Sequence, residues 1–345
     1  MEEWERYKIS DLTIMKNGKK RPLCTGTIPV YGGNGIMDFT NVYNSENTII
    51  VGRVGAYCGN VYHCSDKCWI SDNAIAVSAN NLIDIKYLFY LMSSLNLHHK
   101  HIGGAQPLMT QDIIGGFDVL IPKVETQKKI ASVLSSLDSK IELNRRINDN
   151  LEQQAQALFK AWFVDFEPFG GQFPDNWEEC NLSDILTVRY GKDHKTLKDG
   201  TIPVYGSGGI MRFVNKALYD KESVLIPRKG TLNNLFYVDE PFWSVDTMFF
   251  TEMKKMNIAK YIFLYLQRVD LESMNCGSAI PSMTTNILNG VRAVLPSDEV
   301  LMKFDNTISS IFAKLKSLQK ESTQLASIRD TLLPKLMSGE LKLTI

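Results

Sequence analysis

KVETQKKIASVLSSLDSKIELNRRINDNLEQQAQALFKAWFVDF, residues 123–166, contains no glycine and no proline. Ile130, Leu137, Asn144, Leu151 and Leu158 stand seven residues apart; Val133, Ile147 and Ala161 take the companion position, and Leu134 and Ile141 widen the stripe. A heptad repeat of this kind marks one long helix with a narrow apolar seam. From Glu125 to Asp165 the helix spans about 40 residues, a rod of about 60 Å at 1.5 Å per residue. Such a seam is buried only against another helix, so the sequence should contain a partner.

The partner lies in the same chain, because the chain repeats itself. GTIPVYG at Gly26–Gly32 returns at Gly200–Gly206, 174 residues on, and Gly35-Ile36-Met37 returns as Gly209-Ile210-Met211 at the same offset. Arg53 and Gly55 match Arg228 and Gly230, while Trp69 and Asp72 match Trp243 and Asp246. Gly103, Ala105, Pro107, Met109 and Thr110 match Gly277, Ala279, Pro281, Met283 and Thr284, and Ile121-Pro122 matches Leu295-Pro296. Ordered, nearly gapless matches of this kind indicate duplication.

The helix repeats too. Ile130, Leu137, Ile141, Leu151 and Leu158 correspond to Phe304, Ile311, Leu315, Leu325 and Leu332. A second helix starting near Ser297 carries the seam Leu301, Phe304, Ile308, Ile311, Leu315, Leu318, Leu325, Leu332. The expected fold class is α+β: two globular modules related by a pseudo-two-fold axis and separated by two long helices packed as an antiparallel coiled coil. The expected boundaries are residues 1–122 for the first module, 123–168 for its helix, 169–296 for the second module and 297–345 for the second helix.

Within the modules, Thr48–Val51 and Ser223–Ile226 read as short strands, and Trp69–Ser78 reads as another, with Asp72-Asn73 as polar interruptions. Ile85–Leu97 and Ala259–Leu271 have a helical period. Thr110 and Thr284 stand where N-caps belong. Gly32–Gly35 and Gly206–Gly209 read as loops, and Glu167–Pro174 as the linker that ends the first helix.

A chain of 345 residues is too long for one compact core. Its 38 Lys and Arg balance 38 Asp and Glu, so a face for an anionic partner requires local segregation of charge. No apolar run reaches ~18 residues, as a membrane-spanning helix would need. The start, MEEWERYKIS, is acidic and polar, unlike a signal peptide. Six cysteines without a regular framework suggest reduced thiols and a cytoplasmic setting.

Motifs for chemistry are missing. No Pro-Pro occurs, whereas methylation of base amino groups calls for an Asn/Asp-Pro-Pro-aromatic motif. Gly18-Lys19-Lys20 and Gly191-Lys192-Asp193 lack the Ser or Thr of a P-loop. Pro174-Asp175 followed by Glu178-Glu179-Cys180 lacks the lysine of a nuclease carboxylate cluster. No catalytic residue is assigned. Cys58, His63, Cys64 and Cys68 invite a zinc reading, as do His98, His99 and His101. The second repeat has no counterpart of either set, with Asn275 at the place of His101, and no metal site is assigned. The histidines follow a helix end, where they could either terminate the helix or meet phosphate.

Four features resemble the specificity subunits (HsdS family) of Type I restriction-modification systems, and the resemblance covers the whole chain. They are the module starts Trp4…Ile9-Ser10-Asp11-Leu12 and Trp177…Leu182-Ser183-Asp184-Ile185; Gly103-Gly104-Ala105-Gln106-Pro107; Ile121-Pro122 leading through Glu125-Thr126-Gln127 into the helix; and the tail Leu332-Leu333-Pro334-Lys335-Leu336-Met337-Ser338-Gly339-Glu340-Leu341. The second helix departs by opening Ser297-Asp298-Glu299-Val300 without the glutamine. The resemblance implies two target recognition domains and no catalysis by this chain. Each domain would read half of a bipartite site in double-stranded DNA. Implied partners are two modification (HsdM-type) subunits, which bring S-adenosylmethionine, and restriction (HsdR-type) subunits, which use ATP and Mg; no cofactor is bound by this chain, and no membrane is involved.

Base reading needs donors and acceptors at base edges, with cations on phosphates. The DNA-binding candidates in the first module are Lys16, Asn17, Lys19, Lys20, Arg21, Asn34 and Arg53. In the second they are Arg189, Tyr190, Lys192, His194, Lys195, Arg212, Arg228, Lys229, Asn233 and Asn234. Arg53 and Arg228 stand out, since each is expected to end a strand ahead of a glycine turn at equivalent positions. The shared segments Gly26–Gly32, Trp69 and Gly103–Thr110 read as scaffold. Asn144, aligned with Leu318, is expected to fix the register of the seam, and a rod of about 60 Å caps the half-site separation below ~18 base pairs. Two other readings remain open from the residues: a stand-alone DNA-modifying or DNA-cleaving enzyme, and a coiled-coil scaffold.

Overall fold

A computed structural model describes residues 4–103, 107–277 and 281–343, and it is α+β. The repeated stretches at 104–106 and 278–280 lie outside the described residues. Two compact units divide the chain, one made of 1–145 with 319–345 and the other of 146–318. The division falls inside both long helices, so each unit owns one globular module and a segment of each helix.

In the first unit β1 (Glu5–Lys8) runs into the one-turn helix α1 (Ile9–Leu12) and then β2 (Thr13–Asn17). The hairpin β3 (Ile28–Gly32) and β4 (Gly35–Thr40) is followed by β5 (Ser45–Gly52), β6 (Val61–Ile70) and β7 (Ala74–Ala79). They form one sheet in the order β2-β7-β5-β6-β3-β4, in which β3 lies parallel to β6. Trp69–Ser78 is thus two strands rather than one. Asp72 and Asn73 sit in a tight turn closed by Ala74 N–H on the Ser71 carbonyl at 3.0 Å, the place where short polar side chains favour chain reversal.

Helix α2 (Ile85–Ser94) begins on Asp84, whose carboxylate accepts from the N–H groups of Lys86 and Tyr87. It stops short of Leu97 because Asn96 turns left-handed at φ 51°. Thr110 caps α3 (Gln111–Gly115), accepting from Ile113 N–H, and β8 (Asp118–Ile121) returns to pair with β1. Ile49, Val51, Ile75 and Val77 of the sheet meet Tyr87, Leu88 and Leu91 of α2 in one core. That core is closed by Ile130, Ala131 and Leu134, and by Leu336 and Met337 from the other end of the sequence. The 40-residue helix α4 (Val124–Phe163) then begins.

The second unit repeats this order with β9 (Glu178–Asn181), α5 (Leu182–Ile185), β10 (Leu186–Tyr190) and the hairpin β11 (Asp199–Gly206) and β12 (Gly209–Val214). There follow β13 (Ser223–Pro227), β14 (Phe236–Val238), β15 (Trp243–Ser244), β16 (Met248–Met253), α6 (Ala259–Leu266), α7 (Thr285–Asn289), β17 (Arg292–Leu295) and α8 (Asp298–Met337). Its main sheet is split into β10-β16-β13-β14 and β12-β11-β15, where the first module has one sheet of six strands. Pro241, at the place of Lys67, accounts for the split: it has no N–H to give a ladder, so the counterpart of β6 breaks into β14 and β15.

The helices carry more than the heptad seam. Of the seam residues, Ile130, Asn144, Leu301, Phe304, Ile308 and Leu318 are fully buried, while Leu137, Leu151, Leu158, Ile311, Leu315, Leu325 and Leu332 are half-buried. The deepest burial follows a wider stripe near the modules: Gln127, Ile130, Ala131 and Leu134 in the first unit, and Ala155, Phe159 and Phe163 with Leu301, Phe304, Ile308 and Phe312 in the second. There a helix packs on a globular core as well as on a helix, and the broad 3.6-residue face replaces the narrow 3.5-residue seam. In the first unit the pairing direction is antiparallel, since Asp138 meets Arg329 (2.7 Å) whereas Asn144, six residues on, meets Glu321 (2.9 Å).

Gln127, in the Glu-Thr-Gln entry to α4, is wholly buried and fully used. Its Oε1 accepts from Asp84 N–H (2.8 Å), and Nε2 donates to the carbonyls of Pro122 (2.8 Å) and Leu82 (3.2 Å). Leu301 stands at the equivalent place in α8 and is simply apolar core.

Candidate nucleic-acid interface

In each module the loops collect around one tight turn. In the first it is Ser71–Asn73. Gly18 lies so close beneath it that a Cβ would fall 1.9 Å from the Ser71 carbonyl oxygen, which restricts the position to glycine. Lys19 N–H donates to Ile70 O (3.0 Å), and the Lys19 carbonyl accepts from Trp69 Nε1 (3.3 Å). Arg53 N–H donates to Asn73 O (2.8 Å), and its Nη1 to Asp72 O (3.4 Å). From the far side, Met109 N–H donates to the Arg53 carbonyl (2.8 Å) and Gly55 N–H to that of Pro107 (3.1 Å).

The second module reproduces this frame bond for bond around Ser244–Thr247. A Cβ at Gly191 would lie 2.0 Å from Val245 O. Lys192 N–H donates to Ser244 O (2.9 Å), and Trp243 Nε1 to Lys192 O (2.9 Å). Arg228 N–H donates to Thr247 O (2.8 Å) and Nη1 to Asp246 O (3.0 Å), while Met283 N–H and Gly230 N–H bond to Arg228 O and Pro281 O at 2.9 and 3.0 Å. Shared residues such as Trp69 and Trp243 therefore build scaffold.

Lys16, Asn17, Lys19, Lys20 and Asn34 are exposed and Arg53 is half-buried beside the turn. Arg21 leans on Asp38 of β4 at 3.1 Å. In the second module Tyr190, Lys192, Lys195, Lys229 and Asn233 are exposed; His194, Arg228 and Asn234 are half-buried. Asn234 is turned inward, its Nδ2 on the Ser207 carbonyl. Like Arg21, the cations Arg189 and Arg212 are committed within their own module. Arg189 grips Glu252 through Nε and Nη2, both at 3.0 Å, and Arg212 bonds Asp199 (2.7 Å) and the Leu197 carbonyl (3.1 Å). Asp193 accepts the Lys195 N–H, which holds its carboxyl below the ordinary value and orders the loop.

Gln111 belongs to the surface too, although sequence reading passed over it. Its amide pairs with that of Asn17 at 3.0 Å. The available signal was a difference: it follows the shared cap Thr110, yet its counterpart is Thr285. The zinc readings find no geometry, since among the described residues no three His, Cys, Asp or Glu side chains converge to hold a metal ion. His98 Nδ1 lies instead 2.8 Å from the Cys58 carbonyl.

The model of the Type I restriction modification DNA specificity domain matches residues 1–153 and again 174–328. The chain belongs to that family. The two matches coincide with the two repeats. Among curated specificity-family relatives, the MjaIX specificity subunit of Methanocaldococcus jannaschii is 27% identical over 74% of this chain and 69% of its own. The HindI specificity subunit of Haemophilus influenzae is 27% identical over 80% and 82%. A crystal structure of a Type I system S subunit from M. genitalium superposes with a TM-score of 0.67 at 23% identity, covering 99% of this chain and 97% of that one, and so shares its fold. In this family the chain is a specificity subunit without catalysis of its own.

Proposed function

We propose that this chain selects the DNA sequence for a Type I restriction-modification complex, each module reading one half of a bipartite site in duplex DNA. The observation that carries the reading is the duplicated frame: one set of backbone bonds holds Arg53 and Arg228 alike, while the exposed residues around them differ. A common scaffold with divergent outward side chains suits two modules that read unlike half-sites. The cations Lys16, Lys19, Lys20, Lys192, Lys195 and Lys229 sit on phosphates and set register, and Arg53 and Arg228 contact phosphate or base.

The long helices act as the ruler between half-sites and as the platform for two modification subunits, which supply S-adenosylmethionine and methylate adenine. Restriction subunits add ATP- and Mg-dependent cleavage. The complex works in the cytoplasm; among the described residues no helix is long and apolar enough to cross a membrane. The test is methylome sequencing of cells that carry this chain with its modification partner. A bipartite methylated motif with an unspecified centre is expected; an uninterrupted motif, or none, overturns the proposal.

A further inference from the structure

Modules that share a frame read different sequences only through the residues that differ at it. The sharpest difference lies beside the repeated arginine. Arg228 Cζ sits 5.3 Å over the Tyr190 ring, and that ring is braced by Phe249 at 5.1 Å between centroids. With Nη1 on Asp246 O at 3.0 Å, the guanidinium is held at one nitrogen and on one face. Its Nε–Nη2 edge has no partner among the described residues. In the first module Arg53 makes the same carbonyl bond, but no aromatic ring lies under it among the described residues. The residue preceding the shared glycine Gly18 is Asn17, where the second module has Tyr190 before Gly191, and Asn17 pairs with Gln111.

We infer that Arg228, seated on Tyr190, reads a guanine in the half-site of the second module, and that in the first module, beside Arg53, the Asn17–Gln111 amides stand where that ring does. The inference rests on the bipartite reading proposed above. Two parallel N–H groups on the free Nε–Nη2 edge match the O6 and N7 acceptors that guanine presents in the major groove. The ring beneath and the carbonyl behind remove the rotamer freedom that a lone surface arginine loses on binding. Amide side chains pair best with adenine, so the same surface favours another base in the first module.

The assembled methyltransferase complex provides the test, by binding competition on its own site. Guanines are replaced one at a time with 7-deazaguanine, which lacks the N7 acceptor. Wild type should lose roughly 5- to 150-fold in affinity at one guanine of one half-site. Arg228→Lys should weaken binding to the normal site similarly and be indifferent to that replacement. Tyr190→Phe, which keeps the ring, should retain the wild-type pattern. The inference is overturned if Arg228→Lys stays sensitive to the same replacement, if wild type is sensitive at no guanine, or if Arg228→Lys fails to assemble or to bind any DNA, which would place the arginine in the fold. A wild-type complex with no bipartite preference would instead remove the reading function on which the inference stands.

Discussion

Asn144 Nδ2 donates to Glu321 Oε2 at 2.9 Å from a position with no solvent exposure. Ser322 Oγ accepts a second bond at 3.3 Å, while the Asn144 Oδ1 is buried with no partner among the described residues. A polar residue so placed lowers stability and specifies which helix faces meet. Asn144→Leu should therefore raise the melting temperature by about 2–4 °C for each kcal/mol gained. It should also loosen register, read as a methylated motif with more than one spacer length.

Gln127 makes the opposite prediction. It bonds three backbone groups in the first unit, and removing it strands them in a dry site. Gln127→Ala should cost about 3 kcal/mol or more in urea unfolding. A loss below ~1 kcal/mol would mean water takes over those bonds.

Lys260 lies buried between Asp305 (2.8 Å) and Glu222 (3.3 Å), under the Tyr237 ring. Burial opposes its charge, but the hydrogen bond it donates to Asp305 and the field of both carboxylates win, and its pKa is raised from the ordinary 10.5. A raised folded-state pKa means the stabilisation is complete below the unfolded value and disappears as pH climbs through the folded one. Unfolding free energy of the second unit should hold to about pH 10 and then fall. Lys260→Met leaves two carboxylates unpaired and should cost about 3–5 kcal/mol while flattening that alkaline slope.

The exposed cations separate by their partners. Lys20 has no ion-pair partner among the described residues, so Lys20→Ala should weaken binding on all DNA sequences and lower the slope of log affinity against log salt by about 1. Arg189, gripped by Glu252, is expected to leave that slope unchanged when replaced by Ala. Filter-binding across a salt series distinguishes the two.

One heptad inserted after Arg145 and another after Leu318 would lengthen both helices by about 10 Å. The unspecified centre of the methylated motif should grow by about 3 base pairs, with both half-sites retained. An unchanged centre would show that the helices do not set it.

The duplication and both long helices were legible because each rests on local order: a seven-residue period and a 174-residue offset. The aromatic end of α4 was not. Phe159, Phe163 and Trp162 meet Phe304 of the second seam, but they stand off the heptad template because Phe159 and Phe163 also pack on Tyr261, and Phe163 on Trp177, of the module core. Asp72-Asn73 looked like an interruption in one strand, since period alone does not tell a polar pleat from a reversal. The ion pairs of Arg189 and Arg212 join residues 63 and 13 positions apart, and no spacing rule forecasts which cations a folded surface neutralises.

The division of each core across both long helices bears on recombination. Ile130 and Leu134 belong to the same packing as Leu336 and Met337, so a crossover at Pro122 would set a foreign module on a face evolved for another. Crossovers between Arg145 and Arg146, and between Leu318 and Gln319, would move each core intact and bring a new half-site with it. Mid-helix is thus the joint at which a new recognition sequence can be assembled from old parts without repacking either interior.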